Sequence, residues 1–185
     1  MPMHKKVAAL LERAKVPFEP ITHRVVYTAY DTAQTLRAKV SDIAKPLLLK
    51  ADKGFALAIV SAGQNLDLTK VAKSLKAKKI RIPTEKEIVA ALKLNKKQGL
   101  SVFGSIYGIP VLLDRAFAKT QKAVFSAGSF TDSVKMKMKD FVKLESPTIG
   151  AFGVAKKFRK QKPQAKIKKK PTQRPIKKLK AKKKK

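Results

Sequence analysis

Residues 41–61 read SDIAKPLLLKADKGFALAIVS and contain two apolar runs separated by a turn. Residues 46–51 and 55–61 are apolar enough to be buried strands, and the Asp52-Lys53-Gly54 segment between them has the composition of a hairpin turn. A charged residue, Lys45, stands at the start of the first strand. Either its stem covers apolar surface while its ammonium reaches water, or the ammonium is held partly desolvated at a pocket mouth, where it would meet an anion or a developing oxyanion.

The rest of the chain alternates short helices with short strands. Apolar spacing and capping residues predict a helix ending before Pro17, one capped by Asp31 through residue 38, one capped by Asn65 or Asp67, one opened by the capping box Thr84/Glu87, and a last one from residue 141. Further strands are predicted at residues 18–23, 79–82, 111–114, 123–126 and 134–138. Hairpins interleaved with single helices predict a single α/β domain with a curved mixed β-sheet surrounded by helices.

The C-terminal part of the chain is strongly basic. Residues 154–185 hold 17 of the 44 Lys and Arg residues and no Asp or Glu. Such a segment cannot bury enough apolar surface to offset its ordering entropy, so we expect a folded domain at 1–153 and a disordered basic tail at 154–185. The 1–153 part is itself basic, with 27 basic and 12 acidic residues. This indicates a polyanionic partner, most commonly nucleic acid; for the tail, a solubility or membrane-surface role is the alternative.

The composition excludes several kinds of chemistry. The chain has no cysteine, so disulfides, thiolate nucleophiles and Cys-based zinc sites are ruled out. Of its two histidines only His23 lies well inside the domain, so neither a His-rich metal site nor a hydrolytic triad is supported, and no metal or cofactor is predicted. No run has the length of a signal-peptide core or a membrane span, which favours a cytoplasmic protein without a membrane partner.

Seven short motifs follow one another between His23 and Leu144. They are His23 through Thr28-Ala29, Ala44-Lys45-Pro46-Leu47-Leu48-Leu49, Asp52-Lys53-Gly54, Asn65-Leu66-Asp67-Leu68-Thr69-Lys70-Val71, Gln98-Gly99-Leu100-Ser101-Val102-Phe103-Gly104, Pro110-Val111-Leu112-Leu113-Asp114 and Ser126-Ala127-Gly128-Ser129. In this order they resemble the YbaK/EbsC family, the prolyl-tRNA synthetase insertion-domain superfamily, whose members hydrolyse mischarged aminoacyl-tRNA. The resemblance implies a YbaK-like fold.

The same resemblance implies the site. Lys45 corresponds to the catalytic lysine of the family, whose ammonium helps to hold the charged end of the substrate. The substrate-binding residues implied in the same way are Thr28, Gln98, Gly99, Leu100, Ser101, Val102, Phe103, Asp114, Gly128 and Ser129. The chain departs from the family's Gly-x-x-x-Pro loop, since Gln98 stands at the glycine and Val102 at the proline, and Pro46 stands where several members carry a polar residue.

Several candidates also have a purely structural interpretation, which the sequence leaves open. Gly99 and Gly104 could serve only a loop conformation, His23 could be a polar strand residue rather than a base, Asp114 could cap the residues after it, Ser126 to Ser129 could be a plain turn, and Thr28 could be a β-branched core residue.

The implied function is that of a trans-editing aminoacyl-tRNA deacylase acting on a tRNA mischarged with a small amino acid. An aminoacyl ester is already activated, because its leaving group is a ribose hydroxyl flanked by another, so a site without cysteine can hydrolyse it if the oxyanion is stabilised. We expect tRNA as partner, with an aminoacyl-tRNA synthetase as a further one, and tail contacts from Lys156, Lys157, Arg159, Lys160, Lys168, Lys169 and Lys170. The alternative is a catalytically inactive RNA- or DNA-binding protein of the same fold.

Overall fold

The structure, a computed structural model, describes residues 4–52, 54–95 and 98–156 of the 185-residue chain. The helices in these residues are α1 Lys5–Ala14, α2 Ala29–Thr35, α3 Leu68–Leu75, α4 Glu85–Leu92, α5 Arg115–Ala118 and α6 Met138–Glu145. The strands are β1 Phe18–Thr22, β2 Ala44–Ala51, β3 Gly54–Ser61, β4 Gln64–Leu66, β5 Ile80–Arg81, β6 Val111–Asp114, β7 Lys122–Ser126, β8 Asp132–Lys137, β9 Thr148–Gly150 and β10 Gly153–Ala155. Two 3-10 turns lie at Val40–Asp42 and Gly104–Tyr107.

The central sheet is mixed and has the strand order β5-β2-β3-β6-β9. The hairpin predicted from residues 46–61 forms its middle, with β2 and β3 antiparallel and Lys45 opposite Val60. The β3–β6 and β6–β9 pairs are parallel. On the outer edge of β2, β5 pairs only with Lys50 and Ala51, so within the described residues no strand adjoins the part of β2 that holds Pro46. Proline has no N–H to donate to a neighbouring strand, so it is tolerated at this unpaired edge.

The second sheet is antiparallel, with the order β1-β8-β7. A single parallel bridge between Ile43 and Val124 joins its β7 to the segment that leads into β2. The two sheets therefore meet beside the start of β2, which is the point at which Lys45 enters the central sheet.

The third sheet consists of β4 and β10, with Ala155 opposite Gln64 and Gly153 opposite Leu66. Val154 and Ala155 thus belong to the folded part of the chain, although the sequence suggested that the tail begins at residue 154. The physical reason is main-chain pairing, which needs no apolar side chains. Residues 157–185, the remainder of the predicted tail, lie outside the described residues.

Strand β3 is buried on both faces and separates two parts of the core. Leu57 and Ile59 point into the main cluster, which also contains the rings of Phe103, Phe125 and Phe141. Ala56 and Ala58 alternate with them and point into a smaller cluster with α3 and Phe152. This alternation is expected for a strand that makes apolar contacts on both faces. The contacts on both faces hold the hairpin in the core.

The sequence predicted the mixed α/β architecture correctly, and the structure corrects some details. Asp31 does not cap α2: the N-cap is Thr28, and Asp31 is the third helical residue that completes a capping box with it. The Thr84/Glu87 box and the Asp67 cap are confirmed. The short elements β4, α5, β9 and β10 were not predicted. No helix among the described residues has the length and apolar character needed to cross a bilayer.

Candidate active site

A cavity of about 260 Å³ lies where the two main sheets meet. Its polar wall is formed by His23, Thr28, Thr32, Lys45, Ser126, Ser129 and Ser133. Its apolar wall is formed by Val26, Tyr27, Ala29, Ile43, Ala44, Pro46, Leu100, Val124 and Phe130, with the backbone of Gly99 between them. Besides the imidazole of His23, this lining contains one lysine, Lys45, and no arginine or carboxylate. The described wall is therefore suited to negative charge.

Lys45 is held at the cavity wall by its place at the start of β2. Its ammonium donates to the backbone carbonyl of Gln64 in β4. Burial lowers the pKa of Lys45 from its ordinary value, and the positive charge of Lys156 lowers it further. An ammonium has three N–H donors, and the bond to Gln64 uses one of them. The cavity therefore contains an oriented, partly desolvated cation.

Gln64 connects Lys45 to a buried carboxylate. Its backbone carbonyl accepts from Lys45. Its side-chain oxygen accepts from Ser61 N at 3.1 Å and from Ser61 Oγ at 3.0 Å. Its Nε2 donates to Asp114 Oδ2 at 3.1 Å. Asp114 is only 2 % exposed and also accepts from the N–H of Gly153 at 2.6 Å. Every polar atom of the Gln64 side chain is thus engaged, which fixes the carbonyl that orients Lys45.

The far wall is built by two loops that pair with each other. Gln98 forms an isolated antiparallel bridge with Ser129, and Gly99 N donates to Gly128 O at 3.2 Å. Gly128 adopts φ +80°, which favours glycine, and Ser129 Oγ donates to Asp132 Oδ2 at 2.6 Å. The two loops therefore form one surface that presents Gly99, Leu100 and Ser129 to the cavity.

His23 closes the cavity next to the end of β1. Its Nδ1 lies 2.8 Å from the carbonyl of Arg24 and its Nε2 lies 2.9 Å from Ser133 Oγ. A carbonyl only accepts, so Nδ1 carries a proton, and in the neutral ring Nε2 accepts from the Ser133 hydroxyl. Both ring nitrogens are used, and His23 is a positioned wall residue.

Tyr27 forms the open rim of the cavity. Its side chain is 77 % exposed, and its ring packs against Phe130 with the centroids 5.3 Å apart and the planes tilted by 52°. An exposed ring at the rim of a cavity offers flat apolar surface of the kind on which single-stranded bases stack.

The comparison with protein families decides the assignment. The model of the aminoacyl-tRNA editing domain matches residues 23–144, which include the whole cavity wall. The chain belongs to this family. Among curated proteins, none matches the chain.

Solved structures share the fold of this editing domain at low sequence identity. One, described as a candidate trans-editing enzyme for prolyl tRNA synthetase, is 19% identical with a TM-score of 0.69 and covers 83% of this chain and 100% of its own. A hypothetical protein is 13% identical with a TM-score of 0.68, covering 81% and 100%. A third, described as a candidate signal transduction protein from Marinobacter aquaeolei VT8, is 21% identical with a TM-score of 0.66, and the match covers 83% of this chain but 31% of that longer one.

Within the editing domain, the structure brings five of the predicted site residues to the cavity and leaves six elsewhere. Thr28, Lys45, Gly99, Leu100 and Ser129 line it. Of the others, Gln98 and Gly128 do not line the cavity but pair the two loops, Gln98 through its bridge with Ser129 and Gly128 through its bond from Gly99 N. Asp114 lies behind Gln64 and caps α5, with Ala116 N at 3.0 Å and Phe117 N at 3.2 Å. Ser101, Val102 and Phe103 form the remainder.

Ser101, Val102 and Phe103 are fully buried and serve the core. Val102 and Phe103 are both 0 % exposed in the main cluster, and neither lines the cavity, which corrects the expectation from the sequence. Ser101 Oγ donates to the carbonyl of Ser126 at 3.3 Å and so ties the two loops together. A Cβ at Gly104 would lie 2.4 Å from Val111 Cγ2, so this glycine serves packing.

The sequence missed the role of Gln64 and most of the apolar wall. The bonds from Gln64 to Lys45 and Asp114 have no local signal, because these two partners lie 19 and 50 residues away. Phe130 directly follows the predicted Ser126–Ser129 turn and could have been included with it. Among the predicted RNA-contacting residues, Lys156 is described and exposed, whereas Lys157, Arg159, Lys160, Lys168, Lys169 and Lys170 lie outside the described residues.

No group of three or more His, Cys, Asp or Glu side chains within residues 4–52, 54–95 and 98–156 is arranged to hold a metal ion. The described site offers one ammonium, the hydroxyls of Thr28, Ser126, Ser129 and Ser133, and an imidazole with both nitrogens engaged. This set is able to bind an anion and to polarise a carbonyl.

Proposed function

We propose that the chain is a trans-editing aminoacyl-tRNA deacylase, which hydrolyses the ester between a wrongly attached amino acid and the terminal ribose of tRNA. The observation that carries the proposal is Lys45, an oriented ammonium in a cavity whose described wall contains no carboxylate. Membership of the aminoacyl-tRNA editing family supports it.

In the proposed reaction, water attacks the ester carbonyl carbon and a tetrahedral oxyanion forms. Lys45 has two N–H donors besides the one bonded to Gln64, and one of them stabilises the oxyanion. The bond between the carbonyl carbon and the ribose oxygen then breaks, and the ribose oxygen takes up the proton that the attacking water releases. The products are the free amino acid and the deacylated tRNA.

We further propose that the amino acid removed is small. The cavity of about 260 Å³ lies below the range of about 300–1,000 Å³ that is usual for pockets of drug-sized ligands. Val124 in its apolar wall is buried in a core cluster, so a bulky side chain would overlap with it. Alanine, serine and cysteine esters are the substrates that this space favours.

The basic C-terminal residues supply affinity for the rest of the tRNA in this proposal. Residues 154–185 carry 17 positive charges, which would contact phosphates without reading sequence. Because editing follows aminoacylation, we propose that the protein acts in the cytoplasm, on tRNA released from an aminoacyl-tRNA synthetase.

Replacing Lys45 tests the proposal. Lys45→Met keeps most of the side-chain volume and removes the charge, and we expect deacylation of alanyl-, seryl- or cysteinyl-tRNA to fall about a hundredfold, since one oriented donor to an oxyanion is worth about 3 kcal/mol. Lys50→Met is the matched control, because Lys50 is an exposed lysine of the same strand outside the cavity. Its rate should stay near that of the parent.

Three results would count against the proposal. Equal rates for Lys45→Met and the parent would exclude Lys45 from the chemistry. Faster hydrolysis of phenylalanyl or isoleucyl esters than of alanyl esters would refute the small cavity. A parent that binds tRNA but cleaves no ester in a panel of mischarged tRNAs would favour the catalytically inactive nucleic-acid-binding alternative.

A further inference from the structure

Strand β10 brings the basic C-terminal segment to the candidate active site. Ala155 of β10 lies opposite Gln64, the residue whose carbonyl accepts from Lys45. The next residue, Lys156, donates its backbone N–H to the carbonyl of Gly63 at 3.3 Å. The lysine-rich sequence therefore starts beside Lys45.

The position of β10 is fixed by buried contacts on its inner side. Gly153 N donates to Asp114 Oδ1 at 2.6 Å, and a Cβ at residue 153 would lie 2.4 Å from Gln64 Nε2 and 3.0 Å from Asp114 Cγ. Just before the strand, Phe152 is 3 % exposed in the smaller core cluster, and its carbonyl accepts from Asp67 N at 2.8 Å. These contacts hold the backbone that leads to Lys156 in a defined place.

The charges of Lys45 and Lys156 would favour an anion bound between them. The charge of Lys156 acts on Lys45 strongly enough to contribute to the lowered pKa of Lys45. Two like charges near a wall without carboxylates repel each other, and a bound anion would turn this repulsion into attraction on both sides. Lys156 is exposed, so a ligand can reach it from solvent.

We propose that Lys156 binds the phosphate on the 5′ side of the ribose whose ester Lys45 acts on. This inference rests on the proposed function and assigns Lys156 a defined contact, distinct from general attraction by the tail. In an aminoacylated RNA end, the phosphate nearest to the ester is attached to the same ribose. The phosphate and the oxyanion that forms at the ester are therefore separated by one sugar. The ligand class is therefore a 3′-terminal nucleotide with its 5′-phosphate.

A pair of minimal substrates tests the inference in the full-length protein. Alanyl esters of adenosine and of adenosine 5′-monophosphate differ only in the phosphate. For Lys156→Gln we expect kcat/KM to fall about tenfold on the phosphorylated ester, as for loss of one charged hydrogen bond, and to change less than about twofold on the adenosine ester. Lys139→Gln, which removes an exposed lysine of α6 that does not line the cavity, should leave both unchanged.

The outcomes separate this inference from the proposed function. If Lys156→Gln lowers the rate on both esters equally, or on neither, Lys156 does not bind the phosphate, although the protein hydrolyses aminoacyl esters as proposed. If the parent cleaves neither ester, the panel of mischarged tRNAs decides the proposed function, and binding decides the inference. NMR titration of the parent should then show tighter binding of adenosine 5′-monophosphate than of adenosine, and Lys156→Gln should abolish this difference. A parent that binds both equally weakly would overturn it.

Discussion

Asp114→Asn is the substitution that tests the connection between the candidate lysine and β10. Asp114 Oδ2 accepts from Ala116 N, Phe117 N and Gln64 Nε2, while Oδ1 accepts from Gly153 N at 2.6 Å. An asparagine with its oxygen in the Oδ2 position keeps the first three bonds, but its amide then faces the N–H of Gly153, donor against donor. A buried donor left without an acceptor costs about 1–3 kcal/mol. For a chain of this size that corresponds to a decrease in Tm of about 2–12 °C.

Urea unfolding followed by far-UV circular dichroism measures this loss, since the chain has no tryptophan to report by fluorescence. Asp67→Asn is the matched control: Asp67 also caps a helix, with Thr69 N at 3.1 Å and Lys70 N at 3.2 Å, but near the surface. Asparagine caps helices about as well as aspartate, so the control should lose clearly less stability. An equal loss in both variants would show that Asp114 is only a helix cap and does not anchor β10.

Three further outcomes are expected. In Gly153→Ala the new Cβ would overlap Gln64, so both the stability and the deacylation rate should fall; an unaltered rate would mean that Gln64 does not position Lys45. The pKa of Lys45 is lowered, so kcat/KM should decrease as the pH rises through that lowered value and the ammonium loses its proton. In Lys156→Gln this decrease should move to higher pH, because the positive charge of Lys156 contributes to the lowering. A parent profile that is flat up to pH 10.5, the ordinary lysine value, would contradict this. Removal of residues 157–185 should raise KM for tRNA and flatten its dependence on salt with kcat unchanged, whereas an unchanged salt slope would exclude phosphate contacts by those residues.

The elements with local signals were predictable from the sequence. Thr84 and Glu87 are three residues apart, and each caps the other's backbone in the structure, so four residues contain all the information. The hairpin of β2 and β3 is similarly local, because its turn composition and its two apolar runs adjoin. Lys45 could be identified from its place at the start of this hairpin together with the family resemblance.

Features that depend on distant pairing could not be predicted. Strand β10 has three residues and forms only because β4, nearly ninety residues earlier, offers it an edge. The bond from Gly153 N to Asp114 follows from that pairing, and the bonds from Gln64 to Lys45 and Asp114 join residues far apart in sequence, so none of them has a sign in its neighbourhood. The cap that Asp114 provides for the residues after it is local, and the sequence offered it as an interpretation. For Val102 and Phe103, membership of a loop near the cavity was predicted, but the direction of each side chain is set by the core cluster against which the loop packs.

Thr28 has two duties that constrain how the protein's selectivity can change. Its side chain lines the cavity and at the same time caps α2 in the box with Asp31, where its hydroxyl accepts from Asp31 N at 3.1 Å. An exchange that removes the hydroxyl here also removes a cap worth about 0.5–2 kcal/mol. Redesign of the accepted amino acid is therefore better directed at Leu100 or Pro46, which line the same space without capping a helix. At Thr28, serine keeps the hydroxyl and the cap.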